Sequence, residues 1–263
     1  MKEHLLRHPI TCLIATACVV VFVVLELLGM TKGYGAYNAG ILTPQAIADG
    51  RYYTLLSSMF MHGDLMHLGC NMVTLCYVGF VLEDILGHAR FAIVYFFAGI
   101  VGGLIWYGIV TATGQVNTGV VGASGALFGL FGTYFYLLVR ERQSPVVLMS
   151  APRLEDVRGV ASLLAVNIVI GFAPGISMEG HLGGLLAGLV VGIPVYELLR
   201  RTVQGEIDAG LQPPSIPAPA SESEFDFDDL QASQDAAMAA QEEFARRWEE
   251  ATPAERAAWH EQR

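Results

Sequence analysis

Six runs of apolar residues, at about 10–28, 66–82, 91–112, 124–139, 159–173 and 181–199, constrain this chain more than any other feature. A helix of about 20 residues crosses the roughly 30 Å hydrocarbon core of a bilayer, and most of the runs come close to that length. The fourth and fifth are the shortest. Only 15% of the residues are charged and 53% are hydrophobic, so the polar surface that a soluble domain of this size needs is missing. The expected fold class is an all-α polytopic membrane protein, a six-transmembrane-helix bundle with a cytoplasmic C-terminal tail. The first run has no small-x-small cleavage site followed by a polar domain, and it reads as a retained span.

Charge divides the chain. The formal net charge is −10, yet residues 1–200 hold 10 Lys/Arg against 11 Asp/Glu, whereas residues 201–263 hold 5 against 14. A near-neutral membrane domain over 1–200 therefore precedes an acidic tail. Within the tail, 201–229 contains "LQPPSIPAPASESEFDFDD", a Pro-rich acidic linker with too little apolar surface to fold alone. Over 230–263 the pattern becomes helical, with Ala237, Phe244 and Trp248 near one face and a restart at "TPAERAAW". The tail is expected to meet an unidentified cytoplasmic partner. Lipid is an expected partner of the membrane domain and nucleic acid is not.

Basic residues orient the spans. One side would carry Lys2, Arg7, Arg90, Arg140, Arg142, Arg153, Arg158, Arg200 and Arg201, the other only Lys32 and Arg51. This places both termini in the cytoplasm of a plasma-membrane protein, with spans two, four and six running inward. The long first outer loop, with its aromatic and scattered apolar residues, is expected to be ordered and half-immersed at the interface. Cys12, Cys18, Cys70 and Cys76 lie in or beside apolar runs without metal spacing and read as small hydrophobes rather than disulfide partners.

Four polar residues then converge. Ser124 opens span four and His181 opens span six. His67 and Asn71, four residues apart on one helix face, occupy the outer part of span two. A lone serine, histidine or asparagine in a span is ordinarily a packing or hydrogen-bonding residue. Four at one depth, on three inward-running helices, point to a site. A serine hydroxyl needs a base, for which His181 is the candidate, and its tetrahedral intermediate needs donors. The Asn71 amide, the Ser124 N–H and His67 could supply them. Gly122 and Gly125 let backbones approach the serine, and Gly184 and Gly188 thin span six against span four. His62 lies outside the span and is expected to make a structural bond to the loop. With His67 and His181 it could supply three metal ligands, but no HExxH motif is present and no acidic residue lies next to them within a span, and no metal or cofactor is expected. Asp64 and Glu179 are expected to be solvated or to cap helices, and Glu26 to face water or the first loop. No Ser-His-Asp triad is evident.

The stretches "HGDLMHLGCN", "GASG" at 122–125 and "GHLGGLLAG" at 180–188, one per inward-running span, resemble the rhomboid family of intramembrane serine proteases over roughly residues 50–200. The resemblance implies a six-helix bundle whose dyad, Ser124 as nucleophile and His181 as general base, cleaves single-pass transmembrane substrates near the outer membrane surface. Asn71, His67 and the Ser124 N–H would form the oxyanion hole. Two positions depart from the pattern. Tyr53-Thr54 replaces the Trp-Arg that many members carry in the first loop, and Phe128 stands where some members place a tyrosine beneath the histidine. A catalytically silent relative that binds membrane helices is the alternative, and the intact Ser124 and His181 argue against it. A transporter would need broken helices and deeper charges.

Overall fold

In a computed structural model of the chain, the residues described are 7–28, 35–143, 154–171 and 176–208. The segment 209–263, which holds most of the expected linker and all of the expected tail helices, lies outside them. The helices in chain order are α1 (Pro9–Leu27), the short α2 (Gly35–Gly40), α3 (Pro44–Ala48) and α4 (Thr54–Ser57), a 3₁₀ turn at Ser58–Phe60, then α5 (Leu65–Leu86), α6 (His88–Ala112), α7 (Ser124–Gln143), α8 (Leu154–Gly171) and α9 (Met178–Asp208). Four stretches, Pro9–Leu27, Leu65–Leu86, His88–Ala112 and Met178–Gly205, are long and apolar enough to cross a membrane. The remaining two expected spans also fall on helices. Glycines, tyrosines and terminal charges dilute α7, and the apolar part of α8, Val160–Val169, is shorter. Among the described residues, those up to 139 together with 158–171 and 176–196 form one compact unit, and 140–143 and 154–157 with 197–208 form a second. In the second unit α9 continues to Asp208, past the boundary expected at residue 200. Thr202 Oγ1 donates to the Leu198 carbonyl (3.0 Å) and Arg200 pairs with Glu197 (3.2 Å) there, and no proline follows Pro194 before the helix ends.

Each long helix starts for a local reason. Asp64 caps α5 by accepting from the His67 N–H (2.8 Å), and α5 ends at Gly87, whose φ of 74° leads directly into α6. Pro9 sits in the first turn of α1, and the preceding His8 provides no side-chain cap. A residue far along the chain supplies one instead. The buried Glu83 carboxylate of α5 accepts from the Ile10 N–H (3.0 Å), the Thr11 N–H (2.9 Å) and the Thr11 hydroxyl (2.7 Å), while His88 Nδ1 lies 2.7 Å away. Beside it Arg7 makes a two-pronged pair with Asp84 (2.9 and 3.0 Å). Replacing Glu83 with alanine strands two N–H groups of α1, and each buried donor left unpaired costs about 1–3 kcal/mol. Thermal unfolding in detergent should register a loss of about 3 kcal/mol. A variant as stable as the parent would mean that water takes over the cap.

The first loop is ordered and packs on α6. Leu42, Trp106 and Val110 form a buried cluster, with Ile47, Leu55, Tyr107 and Val120 against it. Leu42 and Val120 exchange backbone hydrogen bonds of 3.2 and 2.9 Å, so the loop also holds the segment that leads into α7. The departing pair Tyr53-Thr54 anchors the loop on itself. Thr54 is fully buried and donates to the Arg51 carbonyl (2.7 Å), and the Tyr53 hydroxyl donates to the Ala39 carbonyl (3.1 Å). The four cysteines are free.

Helix α7 lies in the middle of its unit, with residues 126–134 all buried. It meets α9 backbone to backbone. A Cβ placed on Gly184 would strike the Gly125 carbonyl, and one on Gly188 the Gly129 carbonyl. One on Gly102 of α6 would lie 2.9 Å from the Gly184 nitrogen. Glycine is what allows this approach, and Thr133 Oγ1 adds a 2.9 Å hydrogen bond to the Gly188 carbonyl.

Candidate active site

The glycine contact brings Ser124 at the start of α7 next to His181 in the first turn of α9. The Ser124 hydroxyl oxygen lies 2.9 Å from His181 Nε2. The imidazole is buried and stacks on Phe128, with ring centroids 4.3 Å apart and planes 11° from parallel. Stacking fixes the plane of the ring, and Phe128 needs no hydroxyl for that. The other ring nitrogen, Nδ1, has no hydrogen-bond partner among the described residues. It faces Gly171, where an added Cβ would sit 3.3 Å from it. The nearby carboxylate, Glu179, is engaged elsewhere: it accepts from Ser177 Oγ (2.9 Å), which also caps α9 by accepting from the Gly180 N–H (3.2 Å). The arrangement is a serine–histidine pair in which, among the described residues, no carboxylate is hydrogen-bonded to the imidazole. Glu26 is exposed.

His67 and Asn71 arrive from α5. Both face Gly122, two residues before the serine. A Cβ there would lie 2.6 Å from His67 Nε2 and 3.5 Å from Asn71 Nδ2. Gly122 also has a φ of +115°, which side-chain-bearing residues rarely adopt, and its N–H is held by the Ser58 carbonyl (2.8 Å). Asn71 is 3% exposed and its Nδ2 has no partner among the described residues. A buried amide left unpaired costs free energy in the resting state. As the first residue of α7, Ser124 has a backbone N–H without an intrahelical acceptor. The Asn71 amide, beside Gly122, and the Ser124 N–H are thus unused donors close to the serine, and His181 is a base in contact with it, which is what attack on a carbonyl requires.

His62 differs from expectation. Its ring nitrogens make no hydrogen bond of good geometry to the loop. The ring is 3% exposed and sets its edge against His67, 5.1 Å between centroids. Burial, then the neighbouring His67, pushes its pKa down from 6.5 to about 4. Between those values the unfolded chain binds a proton that the folded protein refuses. Stability should thus be full above about pH 6.5 and decline as the pH falls toward 4, by at most about 1.4 kcal/mol per pH unit for one group. Melting at pH 7.5 and pH 5 tests this: the gap between the two temperatures should narrow in His62→Phe, and an unchanged gap would assign the acid sensitivity to other groups. Neither this packing nor the roles of Ser58, Gly171 and Ser177 leaves a periodic trace in the sequence. The Ser177 cap alone was open to a local reading, two residues before Glu179.

Comparison with known proteins gives a consistent result. A family model described as "Rhomboid domain" matches residues 49–198. RHOMBOID-like protein 5 of Arabidopsis thaliana is 30% identical over 179 residues, which cover 66% of this chain and 53% of that protein. Putative rhomboid protease YdcA of Bacillus subtilis is 31% identical over 156 residues, 59% of this chain and 70% of that protein. Rhomboid protease GluP of the same organism is 27% identical over 194 residues, 72% of this chain and 36% of that protein. The chain thus spans from about a third to about two thirds of the length of these curated relatives.

Proposed function

Because the chain belongs to the rhomboid family and is a multi-pass membrane protein, we propose that it is an intramembrane serine protease working through Ser124 and His181. The observation that carries this reading is the 2.9 Å contact between the serine oxygen and the imidazole Nε2. With its proton on Nδ1, His181 accepts the serine proton at Nε2 as Oγ attacks a peptide carbonyl. The Ser124 N–H and Asn71 Nδ2, with His67, stabilise the resulting oxyanion. The imidazolium then protonates the leaving amine, and water hydrolyses the acyl-enzyme by the reverse use of the same base. Phe128 keeps the ring in plane for both transfers, and Gly122, Gly125, Gly184 and Gly188 keep the three helices close enough for the groups to meet.

The substrates are single-pass membrane proteins. A transmembrane helix holds its carbonyls in its own hydrogen bonds, so attack needs a locally unwound segment, which helix-destabilising residues make less costly. Small residues before the scissile bond suit the narrow space around Ser124. The excess of basic residues on one side supports a plasma-membrane protein with both termini in the cytoplasm and a site opening outward. A serine-directed fluorophosphonate provides the test. Protein in detergent should be labelled, and labelling should vanish in Ser124→Ala. Labelling that survives this substitution would remove Ser124 from the nucleophile's role.

A further inference from the structure

The Nδ1 edge of His181 is buried and makes no hydrogen bond among the described residues, so a polar contact is not what holds it. Phe128 lies against the face of the imidazole and sets its plane, but a stacked ring can still slide across its neighbour. A helical side chain lies over the turn N-terminal to its own Cα, which for His181 is the first turn of α9. Met178 opens that turn, three residues before His181 and on the same helix face. Opposite stands Gly171, the last residue of α8. A Cβ added there would lie 2.9 Å from Met178 Cε, 3.3 Å from His181 Nδ1 and 3.7 Å from Met178 Sδ. The end of the methionine and the ring nitrogen thus crowd one spot, and a side chain at 171 would compete for it.

We propose that Met178 is a positioning residue for the general base: its thioether end stands where an acidic residue stands in a triad, steadying the Nδ1 edge of His181 by packing and keeping water and other acceptors from that nitrogen. The inference rests on the protease reading and adds what meets the imidazole at the nitrogen the serine does not touch. The third residue of a triad orients the ring and also stabilises the imidazolium. Met178 does the first by contact. It does little of the second, because a thioether sulfur is a weak acceptor. The two duties can therefore be separated by substitution at this one position.

The experiment uses the full-length protein in detergent. It follows the rate of fluorophosphonate labelling at Ser124 and the cleavage of a transmembrane peptide from about pH 5 to about pH 9, a range in which the acid limb reports the base of the free enzyme. His67 of α5 and Glu179 of α9 are the titratable groups among the described residues that act on the ring, and every variant keeps both. Met178→Gln, close to methionine in size, brings an amide oxygen to Nδ1. Its acid limb should move to higher pH by about one unit, the lower end of what a hydrogen bond to a charged group supports. Met178→Ala should lower the labelling rate and kcat by about tenfold or more, the effect of a reacting group held less exactly, with KM nearly unchanged. Met178→Leu restores bulk without an acceptor and should recover most of that loss while keeping the parent's limb. A limb in folded Met178→Gln that coincides with the parent's overturns the proposal. So does a loss in Met178→Leu as large as in Met178→Ala. Each comparison stands alone, so a variant that does not fold leaves the other to decide. A parent labelled at Ser124 that cleaves no transmembrane peptide overturns the protease reading alone, and the labelling rates still judge Met178.

Discussion

Asn71→Ala is expected to lower the turnover of a membrane substrate by about 10²–10³-fold, the usual cost of one oxyanion donor, without making the protein easier to melt. The two halves of this expectation come from the same atom. Asn71 Nδ2 is buried and has no partner among the described residues, so removing it deletes an unsatisfied donor. Removing such a group relieves a desolvation cost of about 1–3 kcal/mol, against which a small cavity is left. A side chain kept for stability would show the reverse sign. The loss should fall on kcat more than on KM, since the donor is used only once the carbonyl has become tetrahedral. Initial rates on a cleavable transmembrane peptide, measured beside a thermal melt, give both numbers. Unchanged turnover in a folded variant would exclude Asn71 from the oxyanion hole.

Gly184→Ala should remove most of the activity and much of the stability, whereas Gly180→Ala, one turn earlier on the same helix, should be close to neutral. At Gly184 the new methyl group meets the Gly125 carbonyl, and at Gly180 its nearest neighbour is Ser177 Oγ at 3.6 Å, an ordinary contact. A side chain can rotate away from a clash, but a main-chain carbonyl cannot, so α7 and α9 must part. Overpacking costs about 1–3 kcal/mol and sometimes more. Gly125 follows the serine directly, and a misplacement of about 1 Å between reacting groups can cost about 10²-fold in rate. Melting temperatures and cleavage rates of the two variants, read side by side, provide the check. Equal behaviour would mean that the helix crossing yields more readily than its geometry implies.

Four of the apolar runs coincide with helices long and apolar enough to cross a membrane, because each such helix satisfies its own backbone and advertises itself by composition. Their ends were less legible. Helix α8 begins at Leu154, among charges that hydropathy discounts, and α9 runs through Pro194 to Asp208. Ser124 and His181 could be paired on paper because both open spans that the basic residues orient alike, and their reactive atoms lie 2.9 Å apart. What escaped were contacts between residues distant in sequence and chemically commonplace. Glu83 capping a helix 72 residues away, the Ser58 carbonyl holding Gly122, and Asn167 reaching Thr74 depend on how the helices assemble. His62 was misjudged for a related reason. A histidine beside a loop invites a polar partner, but here it is packed as an aromatic edge.

The α7–α9 seam also limits how this chain can change over evolutionary time. At most interfaces an enlarged side chain on one face is accommodated by a reduced one opposite, and the pair drifts together. Gly184 faces the Gly125 carbonyl and Gly188 the Gly129 carbonyl. Neither partner has anything left to shed, since no residue is smaller than glycine and a peptide oxygen is the same in every residue. Every substitution there runs in one direction, toward bulk, and its only remedy is greater separation of the helices that hold the serine and the histidine. The seam behaves as a ratchet: descendants of this chain keep these glycines or give up the distance on which the reactive pair depends.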